Sequence, residues 1–461
     1  MTFSHPLFHR FCLALVGWVS LGWFLLPSAS CADVEWRAGF ARARITPTEP
    51  IMLGGYANRQ EPYRRVIQDL HVKALALEDG RGFRVVLLTC DVLGFRAPAA
   101  TAILDRICAQ SGLERSQILL NSSHTHTAPA PSLPLGTIVN ATGTTSWERY
   151  HQRLLDSVVE TALSALADLR PAKLSHGSGI ATFVMNRREP TPQGIKLGFN
   201  PRGPADRSVP VLRVADVNGT LRGIVFGAAC HATTIPPRDN EVTGDYPGFA
   251  QDYLENQFPG VQAMFMQGFG GDAGPYPSGR LDYARQHGAT LGAEVKQVLE
   301  GTSLVEVHGP LKTAQVFADL PLAAPLSRRE IEALTASPQL WQKAAASHML
   351  MQLEKGVVPL TTYRAPFTLW QFGQDLTLVA LPGEVVGDYV AGIERVLGPL
   401  RLWLSGYNND VFGYLPSARV LREGGYETRG LYSGERFDPA VEEHAIGVVR
   451  ELARSVGRSL P

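Results

Sequence analysis

Cysteine is scarce in this chain, which has five in 461 residues. Only Cys90, Cys108 and Cys230 follow residue 32, and none of them is part of a CxxC pair. An odd number of cysteines at such long spacings excludes a disulfide framework. Cys90 and Cys230 lie in apolar runs, so we expect them to be buried as small hydrophobic residues.

An excess of charge is also missing, because 43 Lys and Arg residues balance 43 Asp and Glu residues and no basic run occurs. Proteins that bind nucleic acid usually present a basic face, so we expect no nucleic-acid partner. The sequence has no GxSxG motif, no P-loop and no HExxH helix. These absences exclude three of the commonest sequence signatures of hydrolases and NTPases.

Residues 1–32 have the order of a secretory signal peptide, with a positive region, the uncharged apolar run Phe11–Leu26 and the small residues Pro27–Ala32. The run is short for a membrane span of about 20 residues, so an uncleaved anchor is the less favoured alternative. A lipid on Cys31 is also less favoured, because serine replaces the leucine of a lipobox. We expect export to the periplasm or the exterior, and one domain over residues 33–461.

Apolar runs rich in Val, Ile and Leu alternate with helical patterns, and 45% of the residues are hydrophobic. This alternation predicts an α/β or α+β fold with a central mixed β-sheet flanked by helices. The predicted strands are His71–Leu77, Arg84–Thr89, Gln117–Leu120, Val209–Val214, Arg222–Ala229, Val261–Met266, Leu376–Leu381 and Leu402–Leu404. The predicted helices are Pro98–Gln110, Trp147–Leu169, Gly248–Gln257, Leu281–Glu300, Ser327–Leu334, Val385–Leu397 and Ala440–Ser455. The Pro- and Gly-rich segments Pro129–Ser146 and Glu189–Asp206 are predicted to be long surface loops.

Polar side chains follow four of the predicted strands. His124 and His126 come after the first of these, and two histidines at positions i and i+2 of an extended segment point to one face. His231 ends a second apolar run, Glu384 follows a third, and Tyr414 lies in the segment after a fourth. We therefore expect a site at the strand ends, where loops usually carry function.

Each of these residues also has a purely structural interpretation. The histidines can be hydrogen-bonded in loops, Glu384 can be a helix N-terminal acid stabilised by the macrodipole, and Tyr414 can serve packing alone. Taken together, however, His, His, Glu and Tyr at four strand ends indicate a metallohydrolase. Catalytic zinc sites commonly use His and carboxylate ligands and leave one position open for water.

A set of segments, in this order, resembles the N-terminal catalytic domain of the neutral/alkaline non-lysosomal ceramidases. The segments are Ala38–Phe40, Arg44–Pro47, Gly55–Asn58, Asp91, Asn121–Pro129 (NSSHTHTAP), Asn186–Arg188, His231, Asp245–Gly248, Gln267–Pro275, Pro382–Glu384 and Ser405–Tyr414. The resemblance implies one Zn²⁺ held by four side chains, those of His124, His231, Glu384 and Tyr414. It also implies that His126 lines the substrate site, and we take His126 or Asp272 as the proton shuttle. Tyr414 is expected to stabilise the oxyanion together with zinc.

The chain departs from the family pattern at Gly274, where the family has the serine assigned as its nucleophile. A Cβ is expected to be disfavoured there, because Gly270 and Gly271 lie close by. No segment similar to the family's immunoglobulin-like C-terminal domain follows Ser455.

The expected reaction is hydrolysis of an amide bond by zinc-activated water, with an N-acyl sphingoid (ceramide-like) lipid as substrate and peripheral membrane contact as a further expectation. Two alternatives stay open. One is an esterase or another N-acyl hydrolase, and the other is an inactive ligand-binding homologue that lacks the family serine.

Overall fold

The structure, a computed structural model, describes residues 35–131, 141–302 and 304–461. The predicted signal peptide and residues 132–140 of the first predicted loop lie outside these ranges. Val34–Pro461 form one compact unit. Within the described ranges, no helix is both long and apolar enough to cross a membrane.

The strands are β1 (Trp36–Arg44), β2 (Arg65–Val66), β3 (His71–Asp79), β4 (Arg84–Cys90), β5 (Ile118–Ser122), β6 (Arg170–Ile180), β7 (Val184–Thr191), β8 (Gly194–Asn200), β9 (Ser208–Ala215), β10 (Leu221–Ala228), β11 (Glu241–Val242), β12 (Gln262–Gln267), β13 (Ala273–Pro275), β14 (Val305–Glu306), β15 (Leu311–Pro321), β16 (Thr362–Phe372), β17 (Leu376–Ala380), β18 (Glu384–Val385), β19 (Leu402–Ser405) and β20 (Tyr414–Leu415). The helices are α1 (Ala97–Ser111), α2 (Ala141–Ala167), α3 (Asp245–Gln257), α4 (Leu281–Glu300), α5 (Arg328–Leu334), α6 (Leu340–Glu354), α7 (Asp388–Leu397), α8 (Ala418–Glu423) and α9 (Val441–Ser455).

Two mixed sheets form the centre of the fold. In the described part of the chain, the larger sheet has the strand order β12-β10-β9-β6-β1-β3-β4-β5, with β14 beside β6. Its neighbours are antiparallel except for the parallel pairs β10/β12 and β4/β5. The smaller sheet has the order β15-β16-β17-β19 and ends in the parallel pair β17/β19. The predicted mixed sheet is confirmed, and the second sheet adds a layer to it.

The sheets pack face to face and helices cover their outer faces. In β3, Leu75 and Leu77 contact the core between the sheets, which also contains Trp370 and Trp403. The alternate residue Ala74 belongs to the core under α1 and α2. Strand side chains alternate between the two faces, so a strand covered on both sides needs apolar residues at successive positions. The helices α3 and α4 cover the other half of the large sheet, and α7 and α9 cover the small sheet.

The predicted elements are present, with differences at the starts of three helices and in one loop. Helix α3 begins at Asp245 instead of Gly248. Helix α7 begins at Asp388 instead of Val385, because Glu384 and Val385 pair with Tyr414 and Leu415 as β18 and β20. Helix α2 begins at Ala141, inside the first predicted loop. The second predicted loop is wrong, since β7 and β8 form an antiparallel hairpin there. Gly194 follows its turn with φ at 102°, a conformation that glycine adopts readily.

Candidate metal centre

The segment after β5 presents its two histidines from a backbone of unusual conformation. His124 has φ at 59°, in the left-handed region that non-glycine residues rarely adopt. Its backbone N–H donates to Val92 O at 3.1 Å, and the N–H of His126 donates to Ala232 O at 3.2 Å. The segment is therefore held between the loop after β4 and the loop after β10. Backbone strain of this kind is typical of functional sites.

Four side chains converge at these strand ends. Oε2 of Glu384 lies 2.9 Å from Nε2 of His231 and 3.3 Å from Nε2 of His124. Nε2 of His126 lies 3.2 Å from Nε2 of His124. The three histidines offer ligand atoms within 4.8 Å of one another, a spacing at which they could hold a metal ion. The structure thus brings the side chains of His124, His231 and Glu384 together.

Backbone carbonyls fix the orientation of two of the imidazoles. Nδ1 of His124 lies 2.5 Å from Leu93 O, and Nδ1 of His231 lies 2.6 Å from Gly270 O. A carbonyl only accepts hydrogen bonds, so each Nδ1 carries a proton and each Nε2 is the nitrogen that faces the cluster. Metal-binding histidines usually have such a partner on their second nitrogen.

Burial keeps two of the imidazoles, those of His231 and His126, neutral. It lowers the pKa of His231 to about 4, and the positive charge of Arg187 adds to the shift. Burial also lowers the pKa of His126 well below 6.5, with His124 adding to the effect. For Glu384, burial acts to raise the pKa, but the two histidines outweigh it and hold the pKa well below 4.5. The cluster thus combines the neutral imidazoles of His126 and His231 with an ionised carboxylate, which is the state in which these groups bind metals.

Tyr414 lies beside the cluster because β18 and β20 pair in parallel, with Glu384 opposite Tyr414. The Tyr414 hydroxyl is 3.5 Å from Nε2 of His231, and Nη2 of Arg187 donates to it at 2.9 Å. Burial, followed by the charge of Glu384, raises the pKa of Tyr414 well above 10. The phenol is therefore protonated at neutral pH. Glu427 in turn accepts a 3.0 Å bond from Nε of Arg187.

His126 closes one side of the cluster against the segment after β1. A Cβ on Gly55, whose φ is 88°, would lie 2.3 Å from Nδ1 of His126, so glycine is required there. The Tyr56 ring meets the imidazole edge-on, at 4.9 Å between centroids. Among the described residues, Nδ1 of His126 has no hydrogen-bond partner. Its Nε2 is the nitrogen that faces the cluster.

Asp272 does not take the position expected of a proton shuttle. Its Oδ1 accepts from the Gly387 N–H at 2.7 Å, and its Oδ2 accepts from Nδ2 of Asn186 at 2.9 Å. Burial raises its pKa to about 6. In the part of the chain that the structure describes, no hydrogen bond joins Asp272 to the histidines. The carboxyl group instead links β7 to the start of α7.

Gly274 lies in β13 beside the site, and its conformation corrects an expectation. A Cβ built there has one neighbour within 4 Å, Cδ of Arg187 at 4.0 Å, and the φ of Gly274 is not positive. A Cβ was expected to be disfavoured at Gly274, and this expectation is wrong. A Cβ on Gly271 would lie 2.5 Å from Glu384 O, so that glycine is the crowded one.

Two further tyrosines lie at the site, and neither was predicted from the sequence. The hydroxyl of Tyr432 donates to Oε1 of Glu384 at 2.6 Å. The ring of Tyr407 lies 4.6 Å from that of His124. Within the described ranges its hydroxyl has no hydrogen-bond partner. Tyr407 falls inside the family-like segment that ends at Tyr414, which is a usable signal, whereas nothing in the local pattern marks Tyr432.

The fold and the cluster together define an α/β protein of two packed sheets with a candidate metal centre of His and Glu side chains. The family model described as neutral/alkaline non-lysosomal ceramidase, N-terminal, matches residues 36–279, more than half of the chain. The chain belongs to this family. The matched region contains the three histidines, and Glu384 and Tyr414 lie beyond it.

Individual relatives are distant. The neutral ceramidase of Pseudomonas aeruginosa is 22% identical over 315 residues, which are 63% of this chain and 46% of that protein. The Drosophila melanogaster neutral ceramidase is 24% identical over 257 residues, 51% of this chain and 35% of that protein. The matches thus span half the length of these curated relatives or less.

Solved structures confirm the fold. A structure titled "Ceramidase complexed with C2" has a TM-score of 0.70 and 19% identity, and the match covers 93% of this chain and 76% of that one. The crystal structure of neutral ceramidase from Pseudomonas aeruginosa has a TM-score of 0.69 and 20% identity, with 91% and 74% covered.

Proposed function

We propose that this chain is a metal-dependent amidohydrolase that cleaves the amide bond of an N-acyl sphingoid lipid. The observation that carries the proposal is the convergence of three imidazoles and an ionised carboxylate in a chain of the ceramidase family. The lipid substrate is suggested by the names of the relatives.

The donor set fits Zn²⁺. Its expected ligands are Nε2 of His124, Nε2 of His231, Oε2 of Glu384 and the hydroxyl of Tyr414. Neutral imidazole and carboxylate are the ligands that zinc prefers in catalytic sites, and the carbonyl anchors on both Nδ1 atoms support this assignment. When bound, zinc would supply Lewis-acid polarisation of a carbonyl oxygen and lower the pKa of water toward about 7.

Arg187 and Tyr414 would stabilise the charge that develops on the amide oxygen. Arg187 only donates, so the Tyr414 oxygen accepts its bond and the phenolic hydrogen stays available for another acceptor. Substrate oxygen is the acceptor we assign to it. Removal of one such donor typically costs about 3–4 kcal/mol of transition-state stabilisation.

His126 would move the proton. Its neutral Nε2 faces the cluster, where it accepts a proton from the attacking water and passes it to the nitrogen of the leaving amine. Its depressed pKa favours the second transfer, because the protonated imidazole releases its proton readily. The C–N bond then breaks to give a fatty acid and a free amine.

A second candidate function is ligand binding without turnover, and Gly274 is the observation that favours it. No side-chain hydroxyl exists at this position, so an acyl-enzyme cannot form there. We favour water as the attacking species because the donor set for the metal is retained at each proposed position.

The test is metal analysis of the purified protein followed by a hydrolysis screen over N-acyl sphingoid lipids, other N-acyl amides and simple esters. We expect about one zinc per chain, release of fatty acid, loss of activity on chelation and recovery with Zn²⁺. A zinc-loaded protein that binds these lipids without releasing fatty acid would establish the binding function instead.

A further inference from the structure

We propose that Tyr432 is a positioning residue that leaves Glu384 a single oxygen for metal binding. The inference rests on the proposed metal function and adds a residue to it. It starts from the 2.6 Å hydrogen bond that the Tyr432 hydroxyl donates to Oε1 of Glu384. The other carboxylate oxygen, Oε2, is the one that faces His124 and His231.

The backbone places Tyr432 at this position. Gly413 forms an antiparallel bridge with Leu431, and the Tyr432 N–H donates to Phe412 O at 2.9 Å. On the other side of the same segment, the Glu384 N–H donates to Gly413 O at 2.7 Å. The segments of Glu384 and Tyr432 thus pair with the two sides of the segment around Gly413. This pairing fixes the positions from which both side chains enter the cluster.

Gly413 allows its segment to lie close to the segment of Gly430 and Tyr432. A Cβ on Gly413 would lie 2.2 Å from Gly430 O, which is far inside van der Waals contact. The Tyr414 N–H also donates to Gly430 O at 3.0 Å, so the pairing continues up to the residue expected to bind the metal. The backbone hydrogen bonds around Gly413 therefore determine the position of Tyr432.

The phenol is the donor in this hydrogen bond, because a carboxylate oxygen only accepts. The Arg96 guanidinium lies 5.9 Å from the centroid of the Tyr432 ring, where it can make a cation–π contact. A protonated, well-held phenol on Oε1 keeps the carboxylate from rotating and from offering both oxygens to one metal ion.

The chain offers a matched control. The hydroxyl of Tyr363 donates to Oδ2 of Asp410, also at 2.6 Å. Asp410 is buried and accepts its other bond from the Ala97 N–H, at the start of α1. Tyr432→Phe and Tyr363→Phe therefore each remove one phenol–carboxylate hydrogen bond of equal length, and only the first bond involves a proposed metal ligand.

The first experiment measures the Zn²⁺ dissociation constant of the full chain by competition with a chromophoric chelator. We expect Tyr432→Phe to weaken zinc binding roughly 10–100-fold, the usual effect of removing a partner of a metal ligand. Tyr363→Phe should stay within about twofold of the wild type. If Tyr432→Phe does not fold, as judged by circular dichroism, Tyr432→Leu replaces it with the same expectation.

The second experiment records the visible absorption of the Co²⁺-substituted proteins, which reports the number and geometry of ligands. We expect an altered spectrum for Tyr432→Phe, because Oε1 becomes available to the metal, and an unaltered one for Tyr363→Phe. Wild-type affinity and an unaltered spectrum in Tyr432→Phe would overturn the inference and leave the proposed function standing. A wild type that binds no Zn²⁺ would overturn both.

Discussion

The side-chain oxygen of Asn121 accepts a 2.9 Å hydrogen bond from the Gln267 N–H, and this bond joins the two edge strands of the large sheet. Asn121 is the penultimate residue of β5 and Gln267 is the last residue of β12, and these strands lie at opposite ends of the strand order. The amide nitrogen of Asn121 donates to Gly406 O at 2.9 Å, just after β19 of the small sheet. One fully buried side chain therefore ties together the strand ends that carry the candidate metal centre.

Asn121→Ala should destabilise the protein by about 2–4 kcal/mol, because it leaves several buried polar groups without partners. The measurement is urea unfolding of the metal-free protein. Asn218→Ala, at an exposed turn, is the control and should change the unfolding free energy by less than about 0.5 kcal/mol. Equal unfolding midpoints for the two variants would show that Asn121 does not hold the strand ends.

His124→Ala and His231→Ala should each remove most of the zinc, because each deletes an imidazole whose Nε2 faces the cluster. Elemental analysis of the purified variants gives the metal content directly. His308→Ala is the matched control, since that imidazole is exposed and lies at ion-pair distance from Asp375 and Glu306. Full zinc occupancy in the double variant of His124 and His231 would contradict the assigned site.

Gly274→Ser should fold as stably as the wild type, because a Cβ there meets its nearest neighbour at 4.0 Å. Gly271→Ser should be destabilised by at least about 2 kcal/mol, because its Cβ would lie 2.5 Å from a backbone oxygen. With stability matched, pre-steady-state kinetics on an N-acyl lipid test the mechanism. We expect the wild type to turn over without a burst, and a silent wild type beside an active, burst-forming Gly274→Ser would refute attack by water.

The metal-free protein should lose stability from His231 as the pH falls from about 6.5 to 4. The folded state binds this proton only near pH 4, whereas an unfolded histidine binds it near 6.5, so acid favours unfolding across that window. The expected contribution is about 3 kcal/mol, because the pKa values of the folded and unfolded states differ by roughly 2.5. His231→Gln should therefore show a flatter fall of unfolding free energy with acid than the wild type does, and equal slopes would contradict the depressed pKa.

Asp272 should have the opposite effect to His231 on how stability depends on pH. Its pKa is about 6 in the folded state and its ordinary value is 3.8, so the folded state holds the proton more tightly. The resulting stability is present below about 3.8 and is lost as the pH rises through 6. In urea titrations, Asp272→Asn should remove this loss, so that its unfolding free energy falls less than that of the wild type between pH 4 and 6.

The strand ends of the site could be predicted because the signal is local. His124 and Glu384 each follow a run of apolar residues, and a strand covered on both faces produces such a run. The side-chain partners could not be predicted in this way. Tyr432 reaches Glu384 only through the pairing of its segment with the residues around Gly413, and that pairing depends on tertiary structure.

The prediction of a loop in place of the β7–β8 hairpin was wrong because it relied on amino-acid composition. The segment Glu189–Asp206 is rich in Pro and Gly, which favour loops, yet its backbone up to Asn200 belongs to an antiparallel hairpin with a glycine at its turn and a register shift between Asn186 and Arg188. Asp272 shows a related limit. Its position near the site followed from the family-like segment, but the direction of its carboxyl group depends on Asn186 and Gly387, which lie elsewhere in the sequence.

The hydrogen bonds of Asn121 also bear on how the chain folds. They join residues 146 and 285 positions apart, and the His231–Glu384 contact spans 153. Contacts of such high contact order require large loops to close first and form slowly. Metal affinity should therefore appear late in refolding, when the small sheet docks on the large one. Zinc uptake during refolding would then report when the two sheets dock, and this event would be distinguished from the earlier formation of the helices.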